Sequence, residues 1–169
     1  MQNHYIYDCV EELIDKYNTS NPFELMDELD IQYRSSNLKF LKGYCVIIRG
    51  IKYIAINSKL TAQEKKIVAA HELGHIIIHS DKLKSAAHRD MNIYDMTDKT
   101  EYQANLFAAD LLIDDNDVDE LAHQESMDYF TMAKILSTNP QLLGFKMFSM
   151  ARRGYNYNLS MPPKSDFLA

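Results

Sequence analysis

The chain has 169 residues, which fits one domain, and 46% of them are hydrophobic, enough for a sizeable core without disulfide or metal staples. Its net charge of −6 and pI of about 5.5 argue against nonspecific binding to nucleic acid, which requires a basic face. Two cysteines, Cys9 and Cys45, are too few for a disulfide scaffold and lack metal-site spacing, so we expect reduced thiols.

The amino-terminal segment MQNHYIYDCVEELIDKY predicts a helix rather than a targeting signal. Ile6, Val10, Leu13 and Ile14 recur at helical spacing over residues 5–17. No basic region followed by an apolar run marks a signal peptide, and no apolar stretch approaches the ~20 residues of a membrane span. We therefore expect a cytoplasmic protein without a membrane segment.

The following residues change from helical to strand periodicity. Asn21 is placed to cap a second helix, with Pro22 at its first position. The segments GYCVIIRG and IKYIAIN, within residues 43–57, are short, β-branched and aromatic on either side of Gly50, and they predict a hairpin. IQYR, residues 31–34, offers a third strand. We expect a small antiparallel sheet of about three strands, with one strand left as an edge.

Two stronger helices are predicted after the sheet. Thr61 and Glu64 have the spacing of a capping box, which predicts a helix over about residues 62–79. Residues 81–97 are polar and weakly periodic, so we expect a loop. The segment TDKTEYQANLFAADLLI then predicts the second helix.

The last third of the chain is less regular in pattern. The acidic residues between 110 and 120 lack the spacing and glycine of an EF-hand, so a solvated turn is expected rather than a Ca²⁺ site. One or two helices should fill residues 125–153. Lys146, Arg152 and Arg153 form only a small basic cluster, interpreted as a solvated helix end.

Together these elements predict an α+β fold, in which the small antiparallel sheet packs on a helical bundle. The chain shows no internal repeat and no interdomain linker. We expect a single domain over residues 1–155 and a flexible carboxyl-terminal tail over 156–169.

The segment IVAAHELGHIIIHS, residues 67–80, places two histidines and a carboxylate in an apolar helix. His71 and His75 lie one turn apart on one face, with Cβ atoms about 5–6 Å from each other, so both rings can bind one Zn²⁺ ion. Glu72 is rotated about 100° from His71. There it can act as a general base on a water rather than as a ligand. Chance alone predicts about 0.01 such H-E-x-x-H motifs, so the pattern favours a metal over packing.

A pair of histidines leaves zinc under-coordinated, and the second helix offers a third ligand. Glu101 is followed on its own face by Ala104, Asn105 and Ala108, which are small or polar and permit close approach. Gly74 costs about 1 kcal/mol relative to alanine within a helix, which also indicates a close contact. Asn105 is placed to hold the second ring nitrogen of a ligand histidine. Helix-dipole complementarity or a capping box is the alternative role of Glu101.

Several polar residues near the motif keep open roles. His79 lies one further turn along the helix and serves either as a substrate or oxyanion contact or in local packing and capping. Tyr102, His88 and Tyr155 are further candidate donors to a developing oxyanion. The sequence does not choose among them.

The residues assembled so far resemble the ImmA/IrrE family of zinc metallo-endopeptidases. The match consists of AAHELGHIIIH followed by EYQANLFAADLL, with YIAIN preceding both, over roughly residues 40–115. The resemblance implies a minimal zincin-like core with a gluzincin site, in which His71, His75 and Glu101 bind zinc and Glu72 is the catalytic base. The chain departs from many relatives in having LLIDDND where they have a proline after the leucines.

The resemblance also implies a substrate class. Family members act on helix-turn-helix repressors of phages and mobile elements, so it implies an anti-repressor protease whose substrate is a separate repressor protein. No DNA-binding domain and no direct contact with nucleic acid are expected here. An exposed edge of the hairpin 43–57 could receive an extended peptide. The alternatives are a zinc-stabilised, non-catalytic anti-repressor that acts by binding, and a helical structural protein with core histidines.

Overall fold

Eight helices and three strands make up the parts of the chain that the computed structural model describes, residues 4–87 and 98–157. The sheet packs against helices, which confirms the predicted α+β class. None of the helices in these two ranges is both long and apolar enough to cross a membrane. In chain order the elements are α1 Tyr5–Tyr17, α2 Pro22–Glu28, β1 Gln32–Ser36, β2 Gly43–Ile48, β3 Ile51–Asn57, α3 Ala62–Ile78, α4 Ser80–Ala87, α5 Asp98–Leu112, α6 Asp115–Ala122, α7 Tyr129–Ile135 and α8 Pro140–Arg152.

The sheet is mixed, so the prediction of an antiparallel sheet was wrong for one of its two pairings. β2 and β3 form the predicted antiparallel hairpin, with Ile48 opposite Ile51. The strand order is β1-β3-β2, and β1 runs parallel to β3. β3 takes the central position because it carries the longest buried run, whereas β1 is mostly exposed and suits an edge. Residues 37–42 therefore cross past that central position before β2 begins.

The helix α3 lies at the centre of the molecule, between the sheet and α5. All ten residues from 67 to 76 are buried, as expected for a helix that is covered on every side. Gly74 faces α5, where an added Cβ would lie 3.0 Å from the ring of Phe107. The close contact that a glycine indicated at this position is therefore present, and it brings the two predicted helices together.

Capping groups set where the helices begin. Thr61 Oγ1 accepts from the Glu64 backbone N–H at 3.3 Å, and Glu64 Oε2 accepts from the Thr61 N–H at 2.8 Å. This is the predicted capping box at the start of α3. At α2, Asn21 Oδ1 accepts from the Phe23 N–H at 3.1 Å, with Pro22 at the first position. These local bonds fix where α2 and α3 begin.

Two segments predicted to be irregular are helical. Residues 80–87 form α4 instead of the start of a loop, anchored by the buried side chain of Leu83. The rest of that predicted loop, residues 88–97, lies outside the described residues. The acidic stretch forms α6 instead of a solvated turn: Asp114 accepts from the next backbone N–H groups, and Asp115 and Asp117 lie in a first turn that favours negative charge.

The carboxyl-terminal basic residues also differ from expectation, because two of the three are not solvated. The Lys146 side chain is 2% exposed and lies 3.2 Å from Asp110 and 2.6 Å from Asp115. Arg153 bonds to Asp115, and its guanidinium lies 3.6 Å from the centroid of the Tyr7 ring. We call Asp110, Asp115, Lys146 and Arg153 the buried ion cluster. A sequence pattern shows each charge but not its partner on another helix.

The described part of the chain ends in contact with α6. Tyr157, the second residue of the predicted tail, donates a hydrogen bond to Asp119 Oδ1 at 2.9 Å. Residues 158–169 lie outside the described residues. The boundaries of the domain and of the tail therefore stay predictions.

Candidate metal centre

Three side chains from α3 and α5 converge on one point. Glu101 Oε2 lies 3.2 Å from His71 Nε2, and Glu101 Oε1 lies 3.3 Å from His75 Nε2. The two Nε2 atoms are 3.0 Å apart. The two rings are almost completely buried, whereas the Glu101 side chain is 29% exposed, so the group reaches solvent on the α5 side.

The spacing of these atoms fits a tetrahedral zinc ion. Zn–N and Zn–O bonds of about 2.0–2.1 Å put neighbouring ligand atoms of a tetrahedron about 3.3 Å apart. The two Nε2 atoms are 3.0 Å apart, and each lies 3.2 or 3.3 Å from a different oxygen of Glu101, while one ligand atom from each of the three residues lies within 4.8 Å of the others. Two imidazoles and a carboxylate also match the donor set of catalytic zinc sites, which leave a position for water or substrate. His71, His75 and Glu101 could therefore hold one ion with little rearrangement.

The electrostatics of the three groups favour positive charge between them. Burial opposes ionisation of Glu101, but hydrogen bonds to both rings hold the pKa of its carboxyl well below its usual value. Burial lowers the pKa of His75 to about 4. Burial also opposes protonation of His71, but the hydrogen bond to Glu101 and the charge of Glu72 together raise the pKa of that ring. The lowered pKa values of Glu101 and His75 favour the carboxylate and the neutral ring that metal ligands require, whereas His71, whose pKa is raised, must give up a proton before it binds an ion.

Glu72 projects from α3 toward the start of β2. An added Cβ on Gly43 would lie 3.3 Å from Glu72 Oε1, and the carboxyl interacts with the thiol of Cys45. Burial raises the pKa of Glu72, opposed by the charge of His71 and the bond to Cys45. A carboxyl with a raised pKa holds a proton more readily than an exposed one, which suits a group that takes up a proton and gives it up again.

Gly43 is a site residue that the sequence analysis missed. Besides Glu72, an added Cβ would approach Val68 Cγ1 to 2.5 Å and the Ala55 carbonyl oxygen to 3.1 Å. A side chain at this position would displace α3 from the sheet. The available signal was a glycine opening the otherwise β-branched segment GYCVII, although it does not reveal that the opposing surface carries Glu72.

In each of the two histidine rings, the nitrogen that does not face Glu101, Nδ1, contacts another side chain. Asn105 Oδ1 lies 2.8 Å from His71 Nδ1, and Asn105 is fully buried. His79 Nδ1 lies 3.4 Å from His75 Nδ1, and His79 Nε2 lies 2.9 Å from Gln103 Oε1. The sequence pattern indicated roles for Asn105 and His79 but not for Gln103, whose partner is on another helix.

The other proposed donors are not brought to the same place. The Tyr102 ring packs against Phe145 and Phe148 of α8, with centroids 5.4 and 6.0 Å away. Tyr155 stacks on Tyr157. His88 lies outside the described residues. The side of α5 that carries Tyr102 thus serves packing with α8, whereas the side that carries Glu101 meets α3.

Comparison with known proteins places the chain in a family. The family model Peptidase_M78, described as the IrrE N-terminal-like domain, matches residues 21–144. The chain is 35% identical over 132 residues to the uncharacterized immunity region protein 2 of Bacillus phage phi105, covering 78% of this chain and 80% of that protein. It is 28% identical over 111 residues to metallopeptidase ImmA of Bacillus subtilis (strain 168), covering 66% of this chain and 64% of ImmA. The chain therefore belongs to the Peptidase_M78 family of metallopeptidases, with an IrrE N-terminal-like domain.

Proposed function

We propose that this protein is a zinc-dependent endopeptidase that hydrolyses a peptide bond in a regulatory protein, specifically a helix-turn-helix repressor of a phage or mobile element. The convergence of His71, His75 and Glu101, with Glu72 beside them, carries the proposal. Membership of a metallopeptidase family supports the chemistry. The phage relative named for an immunity region supports a substrate that regulates genes of a mobile element.

Each residue of the centre has a defined task in this proposal. His71, His75 and Glu101 hold the ion, and bound zinc supplies Lewis acidity that polarises the scissile carbonyl and acidifies water. Glu72 accepts the proton of the attacking water on its carboxylate and gives it to the leaving amine. Burial of Glu72 assists, because a raised pKa makes the carboxyl group a competent donor in the second step.

The edge strand β2 offers a place for the substrate. β2 pairs with β3 on one side and, among the described residues, with no strand on the other. An extended peptide could add to this edge by backbone hydrogen bonds, beside Gly43 and hence beside Glu72. Phe40 and Leu41, just before β2, are exposed apolar side chains that suit contact with substrate side chains. These features support a protein substrate over a small polar one.

The substitution Glu72→Gln tests the proposal. The variant should bind zinc like the wild type and lose cleavage, because a neutral amide takes no proton from water. Zinc content is measured by elemental analysis. Cleavage is measured by mass spectrometry, after incubation with candidate helix-turn-helix repressors from the genome that encodes this protein. Full cleavage by the variant would contradict the assigned base.

The same variant separates the proposal from its alternative. A non-catalytic anti-repressor would still relieve repression of a reporter gene when Glu72 is replaced by Gln, because binding does not need the base. Relief without any cleavage product would replace the peptidase with that binding function.

A further inference from the structure

His79 lies behind the metal centre rather than in it. It is the residue at which α3 ends, with backbone angles of −117° and 23° that leave the helical range. Its ring still lies against that of His75, one turn earlier on the same face, with the centroids 5.5 Å apart. The ring is buried and contacts His75 through Nδ1 and Gln103 through Nε2.

The hydrogen-bond partners determine where each proton lies. Gln103 Oε1 is an acceptor only, so His79 must donate to it from Nε2–H. A neutral imidazole that carries its proton on Nε2 has a lone pair on Nδ1. That lone pair can accept only from a proton on His75 Nδ1. His75 then has a lone pair on Nε2, the atom that faces Glu101.

The geometry points to a new assignment: His79 and Gln103 form a positioning relay that fixes the His75 tautomer so that its Nε2 lone pair faces the metal centre. The inference rests on the proposed metal centre. In this assignment His79 supports the ring of His75, just as Asn105 Oδ1 supports the ring of His71. Partners of this kind orient ligand histidines and raise their basicity.

This assignment decides between the two roles that the sequence left open for His79. A donor to a developing oxyanion needs an N–H group aimed at the substrate. Nε2–H of His79 is directed to Gln103, and Nδ1 is directed to His75. His79 therefore acts through His75 and is a positioning residue, not a catalytic one.

Zinc affinity tests the relay without reference to peptidase activity. His79→Leu removes the acceptor, and zinc binding should weaken about 10- to 100-fold, the usual cost of losing an outer partner. His79→Asn is the matched control, because its side-chain oxygen can replace Nδ1 as an acceptor, and it should stay near the wild type. Competition with a chelating dye measures the dissociation constants. Lys66→Ala, an exposed change on α3, should have no effect.

The variant Gln103→Leu tests the outer half of the relay. It removes the acceptor for His79 Nε2–H and frees the tautomer, so zinc affinity should fall. In cobalt-substituted protein, the visible absorption bands should shift in the two leucine variants and stay unchanged in the His79→Asn variant.

The protonation pattern itself can be observed in the wild type. Nitrogen-15 NMR of the zinc-loaded protein should show His75 protonated on Nδ1 and His79 protonated on Nε2. A His79 ring protonated on Nδ1 would overturn the relay. So would a folded His79→Leu protein with the zinc affinity and cobalt spectrum of the wild type. If the wild type binds no zinc, both the proposed function and the relay fail. If the wild type binds zinc normally and the variants bind it equally well, only the relay is overturned.

Discussion

The metal centre and the buried ion cluster both bury charge on α5, but they balance it differently. In the cluster, Asp110 and Asp115 face Lys146 and Arg153, so the chain supplies its own cations. At the metal centre, the groups within ion-pair distance of Glu101 in the described part of the chain are the two histidine rings. Since neither partner of Glu101 is a lysine or an arginine, we propose that a metal ion supplies the balancing charge in this second arrangement.

The comparison predicts that the largest effect is a loss of folding stability when the buried ion cluster loses a cation. Lys146→Met would leave Asp110 buried without its closest cation, and the free energy of unfolding should fall by about 3–5 kcal/mol. Urea denaturation measures the change. Zinc affinity per folded molecule should be unaffected. Arg152→Ala, an exposed change on the same helix, should stay within about 0.5 kcal/mol of the wild type.

At the candidate metal centre, the corresponding substitution should affect metal binding more than folding. Glu101→Ala removes a ligand, so zinc affinity should fall by at least about 100-fold, more than for an outer partner. The metal-free variant should also lose some stability, because Glu101 bonds to both rings and raises the pKa of His71, but the loss should be smaller than for Lys146→Met because the Glu101 side chain is 29% exposed. Titration calorimetry and thermal melts measure the two effects. Glu120→Ala, which removes an exposed acid elsewhere, should change neither, and an equal loss of affinity there would point to general electrostatics.

A smaller effect is expected where the two helices of the centre touch. Gly74→Ala would place a Cβ 3.0 Å from the Phe107 ring and force α3 and α5 apart. Overpacking of this kind costs about 1–3 kcal/mol, and zinc affinity should fall with it because the ligands lie on both helices. Adding Phe107→Leu should restore part of both losses. If the double variant is no better than the single one, this contact does not set the helix separation.

The smallest predicted effect is a change in the pH dependence of folding stability at Tyr7, which lies beside the buried ion cluster. Burial and the neighbouring carboxylates of Asp115 and Glu11 raise the pKa of Tyr7 to about 12. Because this value exceeds the unfolded value of about 10, Tyr7 contributes stability below pH 10 that is lost as the pH rises through 12. Tyr7→Phe should therefore lose stability less steeply over this window. Chemical denaturation of the metal-free proteins checks this, and equal slopes would contradict it.

Local patterns in the sequence predicted the parts of the protein that depend on neighbouring residues. The capping box at Thr61, the helical run that follows it and the hairpin of residues 43–57 all appear in the structure. Each is decided by contacts within a few residues, such as side-chain bonds to the first turn of a helix and strand pairing across a tight turn. The H-E-x-x-H spacing depends in the same way only on the pitch of one helix.

Tertiary packing decided the rest, because it depends on which distant surfaces share the core. β3, the most buried strand, takes the centre of the sheet, and the short connection from β1 to β2 then leaves β1 parallel to β3. Lys146 is buried because α8 brings it to two carboxylates about thirty residues or more away, a partnership that no local pattern encodes. His79 meets Gln103 for the same reason. The sequence by itself determined which side chains could bind a cation. The packing of α3 on α5 decided which further side chains hold those ligands in place.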